Sequence, residues 1–321
     1  MREVLTLGRY FKKRFGQRVR KIPISLQGFT CPNIDGRVAR GGCIYCCNES
    51  FSPSLIKINR LDNRVKMHFD LKENPILDSQ VAQLREQFFW HADFHKDKFE
   101  ITKFMIYLQS YTNTYAPFET LKRLFDEALG LPNVVGISIG TRIDCVSDEV
   151  LDLLEGYVRE GKEVWIEYGI QSIFPQTLEL INRGHGIQGA YEQVEKTRKK
   201  GVKVCAHLIY GLPKESHEMM IASLREVVRW GIDGIKIHPL YVVSNTKLAK
   251  MYKDGEYTPI SLEEYTQLVL QSFQEIPESV VIHRISSGAH DDMLIAPKWC
   301  FDKNIQMRYI REKLREIGFE Y

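Results

Sequence analysis

Cys31, Cys43, Cys46 and Cys47 put four of the chain's seven cysteines within seventeen positions. They stand in the stretch Cys31-Pro32-Asn33-Ile34-Asp35-Gly36-Arg37-Val38-Ala39-Arg40-Gly41-Gly42-Cys43-Ile44-Tyr45-Cys46-Cys47-Asn48. Two thiolates spaced C-x₂-C grip one metal centre from a tight turn, and a third across a loop closes on the same centre. An iron–sulfur cluster, a zinc site, a disulfide and no site at all are the readings in contention. A disulfide fits poorly, because the chain opens Met1-Arg2-Glu3-Val4 with no apolar signal core and nothing points to an oxidising compartment. Zinc asks for a fourth ligand, usually from a second C-x₂-C or a paired histidine. Cys145, Cys205 and Cys300 stand singly and far away in sequence. Three thiolates without an evident fourth are what a [4Fe–4S] cluster with one open iron needs. On spacing, a metal cluster leads, zinc follows and inert cysteines come last.

A chain of 321 residues can bury a large core, as one α/β barrel or two ordinary domains. Charged and aromatic residues are plentiful, which fits a folded chain, and no apolar run approaches a membrane span. A cytoplasmic protein with no membrane association is the expectation. The net charge of +3 does not by itself point to nucleic acid, but its distribution is uneven. From Val4 to Ile34 there is no acidic residue, while Arg9, Lys12, Lys13, Arg14, Arg18, Arg20 and Lys21 are present with Tyr10, Phe11 and Phe15 among them. Such a segment suits phosphate contact and base stacking. The plainer reading is a solvated helix face beside a core stripe.

The elements that must position the cysteines read as an alternation. Gly8 to Phe15 forms a short basic helix, and Lys21 to Leu26 a first strand entering the cysteine loop. Residues 53–75 are polar and irregular, and Leu77 to Phe89 is helical by apolar spacing. Strands follow at Ile101–Gln109, Val134–Gly140, Glu163–Ile170, Lys203–Tyr210, Gly234–Leu240 and Ser279–Ile285. Helices lie near Phe118–Leu129, Asp148–Glu160, Gly189–Lys200, Glu215–Trp230 and Leu262–Glu275. Strands separated by helices imply right-handed βαβ units and a parallel sheet. Side chains alternate faces along a strand. One face is steadily aliphatic (Ile106 and Leu108, Val164 and Ile166, Val204 and Leu208, Ile235 and Ile237). The other repeatedly carries a polar group: Tyr107 and Gln109, Glu167 and Gln171, Cys205 and His207, Lys236 and His238. A polar inner face suggests an open barrel of about six βα units with a ligand in its mouth or lumen, rather than a barrel packed with branched apolar residues. His207 and His238 face inward, where an isolated histidine is usually a satisfied core group. Cys145, Cys205 and Cys300 read as buried small residues.

Several stretches together resemble the radical S-adenosylmethionine (SAM) enzymes. In order, they are Gly28-Phe29-Thr30-Cys31-Pro32-Asn33 with Gly41-Gly42-Cys43-Ile44-Tyr45-Cys46, then Gln109-Ser110-Tyr111-Thr112-Asn113-Thr114-Tyr115-Ala116-Pro117 and Gly140-Thr141-Arg142-Ile143-Asp144-Cys145. Glu167-Tyr168-Gly169-Ile170-Gln171-Ser172, Asn182-Arg183-Gly184-His185, His207-Leu208-Ile209-Tyr210-Gly211-Leu212-Pro213 and Lys236-Ile237-His238-Pro239-Leu240 complete the set. More narrowly the chain looks like the YtqA/YhcC family, related to the radical-SAM domain of the elongator catalytic subunit. The commonest signature of the superfamily is C-x₃-C-x₂-C; here eleven residues separate Cys31 from Cys43, similar to this family's own spacing. Cys46 preserves C-x₂-C and leaves Cys47 a spare thiol. Leu108-Gln109-Ser110 replaces the Gly-Gly-Glu found in the superfamily.

The resemblance implies a fold, two cofactors and a reaction. The fold is an open, partial parallel β/α barrel. A radical SAM domain over residues 1–290 holds a basic segment at 1–22 and the cluster loop at 28–50, and a short helical extension follows at 291–321. Cys31, Cys43 and Cys46 ligate a [4Fe–4S] cluster whose fourth iron binds the amino and carboxylate groups of SAM. Reductive cleavage of SAM gives a 5′-deoxyadenosyl radical that takes a hydrogen atom from the substrate. Gln109, Ser110 and Tyr111 fall where the family binds the SAM amino group. Glu167 and Gln171 are placed for ribose hydroxyls or that amino group, and Arg183 for the SAM carboxylate. Gly211 offers a backbone edge for adenine. Arg142 is a further SAM contact, or else a structural partner of Asp144. The implied substrate is the tRNA wobble uridine, with maturation of the 5-carboxymethylaminomethyl side chain toward 5-aminomethyl. An electron donor such as a flavodoxin or ferredoxin is implied with it. The basic N-terminal segment, Lys196–Lys203, and Lys303, Arg308, Arg311, Lys313 and Arg315 would meet an anticodon arm. No acetyl-CoA domain is expected. A small metabolite or a protein is the alternative substrate, and a zinc-stabilised, non-catalytic binding protein is the alternative from another class.

Overall fold

The computed structural model describes residues 1–50, 65–288 and 293–321. Residues 53–64 of the expected irregular stretch and the expected boundary at 290/291 lie outside them. After α1 (Leu7–Phe15) come seven strands: β1 (Val19–Ile24), β2 (Lys103–Leu108), β3 (Val134–Thr141), β4 (Glu163–Gln171), β5 (Lys203–Tyr210), β6 (Gly234–Pro239) and β7 (Val281–Arg284). They form one sheet in sequence order, every neighbour parallel. Consecutive parallel strands need crossovers. These are α2 (Leu77–Phe99), α3 (Phe118–Gly130), α4 (Asp148–Arg159), α5 (Pro175–Leu180) with α6 (Ala190–Lys199), α7 (His217–Arg229), and α8 (Lys247–Lys253) with α9 (Leu262–Glu275). The helix α10 (Lys303–Glu316) follows β7. The sheet stays open, with β1 and β7 as its edges, and is the partial parallel β/α barrel expected from the sequence.

Local chemistry starts the helices where they begin. Ser147, Ser216 and Ser261 accept first-turn N–H groups of α4, α7 and α9, and Ser261 completes a reciprocal capping box with Glu264. On the outer face of the sheet Ile137, Ile139, Ile166, Val204, Leu208, Ile235 and Ile237 are 0% exposed beneath the helices. At about 1.5–3 kcal/mol for each such side chain, this layer is the main stabilising contact of the fold. The helix α2 runs ten residues past its expected end, to Phe99 instead of Phe89. Its buried side includes Gln80, Ala92 and His95, which do not read as an apolar stripe.

Near the amino ends of the strands, inward-facing Met105, Trp165, Cys205 and Val281 pack with Phe11 of α1 as a separate cluster. The helix α1 thus closes the floor of the barrel. Buried Glu163 anchors it, accepting from the Tyr10 hydroxyl at 2.6 Å and from Trp165 Nε1 at 2.8 Å, with Arg14 at 3.6 Å and Lys203 at 3.5 Å. Part of the basic N-terminal segment is thus used inside the chain. Phe11 is 1% exposed, Tyr10 and Phe15 pack on the same cluster, and Lys21 points into the lumen. The aromatic residues are the core stripe of the plainer reading, and Lys12, Lys13, Arg18 and Arg20 stay exposed beside it. The stretch Lys196–Lys203 is matched by acids of its own chain. Lys196 meets Asp148, Arg198 Asp233, Lys199 Glu195, and Lys200 both Asp152 and Glu155.

Candidate functional site

At the carboxyl ends of the strands, where open parallel sheets hold ligands, a cavity of about 330 Å³ opens. The cysteine loop forms one wall. The N–H of Cys46 bonds the Cys43 carbonyl at 2.9 Å, the tight turn that C-x₂-C needs. The Gly42 N–H bonds the Asn33 carbonyl at 2.8 Å and draws the first cysteine's arm back toward it. Cys31, Cys43 and Cys46 all line the cavity. Each sulfur has its own N–H donor: Arg142 Nη1 to Cys31 at 3.8 Å, Asn33 Nδ2 to Cys43 at 3.6 Å and Asn48 Nδ2 to Cys46 at 3.5 Å. Cys46 is the exposed thiol of the three, and Cys31 and Cys43 are half-buried. Cys47 also borders the cavity, but its side chain packs against the cluster of Val243, Leu294 and Cys300.

Among the described residues, the only three metal-ligating side chains with ligand atoms within 4.8 Å of one another are Glu167, Cys205 and His283. The loop thiols are therefore spread wider than a single zinc ion gathers with bonds of about 2.3 Å. A cluster of several irons suits that spread.

Asn182-Arg183-Gly184-His185 clamps the loop from the far side. Asn182 Nδ2 donates to the carbonyls of Gly42 at 2.7 Å and Arg40 at 3.1 Å, and the Asn182 carbonyl accepts from Asn33 Nδ2 at 2.5 Å. Gly184 has φ +78, and a Cβ there would stand 2.3 Å from Asn33 Oδ1, so only glycine fits. Arg142, after β3, pairs with Asp144 through both nitrogens, at 2.9 and 2.8 Å, and donates to the Arg183 carbonyl at 2.9 Å. Arg183 Nε donates to Gln171 Oε1 at 2.5 Å and Nη2 to the Gly169 carbonyl at 2.6 Å. Tyr111 and Gln171 both take positive φ, 63° and 64°, at the ends of β2 and β4 where they border the cavity. Strained non-glycine residues of this kind cluster at ligand sites. The Tyr111 N–H donates to Asn48 Oδ1 at 3.2 Å, so Asn48 ties the end of β2 to the Cys46 sulfur.

The cavity reaches down to a buried charge network on the inner face of the sheet. Glu167 is 1% exposed. Its Oε1 accepts from Lys21 and from Ser138 Oγ (2.6 Å), and its Oε2 from Lys236 and from His207 Nε2 (2.7 Å). The four acceptor positions of the carboxylate are thus filled from within the protein. Lys236 also donates to the Tyr107 hydroxyl at 2.9 Å. Burial alone would raise the Glu167 carboxyl; Lys21 and Lys236 outweigh it and hold it well below the usual range. Burial brings Lys21 down to about 8 against the pull of Glu167, and brings His207 down to about 4, so its imidazole is neutral at pH 7.

Of the residues singled out from the sequence, Cys31, Cys43, Cys46, Gln109, Tyr111, Arg142, Glu167, Gln171 and Arg183 meet around one cavity. Ser110 and Gly211 do not line it. Ser110 lies behind the wall, sharing a 2.7 Å hydrogen bond with Ser25, and the Gly211 carbonyl accepts from the Tyr257 hydroxyl at 2.8 Å in the core. Sequence reading missed Asn33 and Asn48 as donors to sulfur, although each lies two residues from a cysteine it flanks. It also missed Lys21 and Lys236 as the counter-ions of Glu167, since nothing local pairs them.

Residues 34–227 match the sequence pattern of the radical SAM superfamily, and residues 232–316 that of the Radical_SAM C-terminal domain. The protein YhcC of Escherichia coli (strain K12) is 35% identical over 308 residues, covering 96% of this chain and 91% of that protein. The tRNA uridine(34) acetyltransferase of Methanocaldococcus infernus is 28% identical over 205 residues, 58% of this chain but 36% of that protein. Among solved structures, Methanocaldococcus infernus Elp3 with an N-terminal deletion superposes with a TM-score of 0.60 at 18% identity, over 94% of this chain and 64% of that one. That likeness is one of fold. Among the described residues no helix is long and apolar enough to cross a membrane.

Proposed function

This chain belongs to the radical SAM superfamily, in the YtqA/YhcC family, and we propose that it modifies tRNA at the wobble uridine, maturing the 5-carboxymethylaminomethyl side chain toward 5-aminomethyl. Enzymes of this superfamily use a [4Fe–4S] cluster and S-adenosylmethionine, which together supply hydrogen-atom abstraction from a substrate. The observation that carries our assignment of ligands is the set of three loop thiols, each with its own N–H donor, spread too widely for one zinc ion. In this reading Cys31, Cys43 and Cys46 hold three irons, while Asn33, Asn48 and Arg142 hydrogen-bond their sulfurs and Cys47 stays out of the ligand set. Arg183, oriented by Gln171, meets the carboxylate of S-adenosylmethionine, and Gln109 and Tyr111 lie toward its amino end. Glu167 acts from below, holding Lys21 and Lys236 in the lumen. An electron donor such as a flavodoxin or ferredoxin reduces the centre.

The choice of tRNA rests on the likeness to the tRNA uridine(34) acetyltransferase. Its test is anaerobic. The reconstituted, reduced protein receives S-adenosylmethionine with and without bulk tRNA lacking mature wobble uridines, and 5′-deoxyadenosine and nucleosides are quantified by mass spectrometry. Deoxyadenosine that rises with tRNA, alongside a changed nucleoside, is the expected result. Cleavage of S-adenosylmethionine with no binding or change of tRNA sinks the substrate half of the proposal. A small metabolite or a protein as substrate is the second reading, favoured by the internal pairing of the Lys196–Lys203 stretch. Activity on a small molecule that ignores salt would mark it, because phosphate contacts make nucleic-acid binding strongly salt-dependent.

A further inference from the structure

Among the described residues that line the cavity, Glu167 is the only carboxylate, against five permanent or near-permanent cations, Arg142, Arg183, Lys236, Arg284 and Lys303. The cations fall into two sets by their place on the sheet. Arg142 and Arg183 follow β3 and β4, and both are engaged beside the cysteine loop. Lys236 lies on β6, Arg284 ends β7 and Lys303 opens α10. Lys236 is satisfied by Glu167 and Tyr107, but Glu167 already shares its charge with Lys21, so the lumen holds two ammonium groups against one carboxylate. Arg284 and Lys303 have no ion-pair or hydrogen-bond partner among the described residues. Arg284 borders the cavity together with Lys303, His238 and Lys236, and its charge acts against all three. Like charges gathered on the wall of a ligand cavity are relieved by an anion.

We propose that Arg284 and Lys303 form the site for an anionic group of the substrate, the side-chain carboxylate of the modified wobble uridine. The sign of the charge follows from the cavity wall; the identity of its bearer rests on the tRNA reading above. The guanidinium of Arg284 offers a planar fork that matches a carboxylate, and Lys303 adds a point charge. A backbone phosphate shares this chemistry, and so does the carboxylate of S-adenosylmethionine, so the test separates the three.

The holoenzyme, reconstituted anaerobically, is compared with Arg284→Gln and Lys303→Gln, both exposed positions. Iron content and melting temperature check that each variant is intact. Affinity is measured at fixed salt for two tRNAs that differ only in whether the wobble uridine carries the carboxymethyl group, and separately for S-adenosylmethionine. The wild type is expected to prefer the carboxylate-bearing tRNA by roughly tenfold to a hundredfold, the range for a charged hydrogen bond. Arg284→Gln removes most of that preference, and Lys303→Gln part of it, with S-adenosylmethionine affinity unchanged. Equal weakening on both tRNAs, with a shallower salt dependence, means a phosphate contact and overturns the proposal. A fall in S-adenosylmethionine affinity, or no change anywhere, overturns it too. If the wild type binds neither tRNA, the substrate reading fails, and acetate then decides the anion site alone. Acetate that raises the wild-type melting temperature and not that of the doubly substituted protein upholds the site, and equal responses end it.

Discussion

Glu167→Gln keeps the shape of the side chain and removes its charge, leaving Lys21 and Lys236 facing each other in the lumen over Tyr107. Their ammonium nitrogens lie 4.1 and 4.3 Å from that ring's centroid, so they share one small space. Removing one partner from a buried ionic set costs about 3–5 kcal/mol, because the remaining charge is uncompensated. At about 1.5 °C per kcal/mol for a chain of this length, the melting temperature falls by about 5–8 °C at pH 6. The pH dependence tests the cause. In the wild type burial depresses Lys21 to about 8 despite Glu167. Without the carboxylate its pKa drops further. The unfolded chain then binds more protons than the folded variant from a lower pH upward, and the variant gains stability over the wild type until pH 8. The deficit is therefore largest at pH 6 and smaller at pH 8. In acid the sign reverses. The Glu167 carboxyl is held well below its unfolded value, so its contribution is present above about pH 4.5 and is lost as pH falls further. The wild type alone shows that loss. Thermal unfolding of the anaerobic holoenzyme across this range is the assay. A deficit below about 1 kcal/mol at pH 6, or one equal at pH 6 and pH 8, refutes the reasoning.

Cys31→Ala, Cys43→Ala and Cys46→Ala are each expected to lose bound iron and visible absorbance after reconstitution, whereas Cys47→Ala keeps both; the reverse outcome for Cys46 and Cys47 would reassign the ligand. Asn48→Ala removes an N–H donor from the Cys46 sulfur. A donor worth about 0.5–1.5 kcal/mol to the reduced, more negative state corresponds to a potential lower by about 20–60 mV, read by redox titration; an unmoved potential shows that the contact does not tune the centre. Gly184→Ala forces a Cβ onto Asn33 Oδ1 at positive φ and should cost about 1–3 kcal/mol together with iron uptake, so wild-type melting and full iron would contradict the clamp. Tyr10→Phe strips a hydroxyl from Glu163 at the floor and is expected to cost about 1–3 kcal/mol while iron content stays at the wild-type level; a loss of iron would mean floor and mouth are not separable.

The parts of this protein that were legible in its sequence are those set by short spacing. C-x₂-C announces a turn, and the turn is there, because Cys43 and Cys46 need only each other's backbone to form it. The alternation along β4, β5 and β6 announced a polar inner face, because the period of a strand is two whatever lies across from it. Charge was another matter. Lys21 counts in the sequence as one of seven basic residues in an acid-free run, as a nucleic-acid contact would. In the fold it is the counter-ion of a carboxylate 146 positions away. Arg14 and Lys203 belong to two different basic stretches and meet at the same Glu163. Whether a cation is available to a ligand depends on which acids the topology brings to it, and no local window contains that information. The same reasoning separates Lys303 from the rest of the basic residues expected to face tRNA. It borders the cavity at the end of the barrel where the cysteines stand, and no acid among the described residues claims it. A surface charge count weights Lys21 and Lys303 alike. The fold uses Lys21 to hold the lumen together, while no described acid pairs with Lys303.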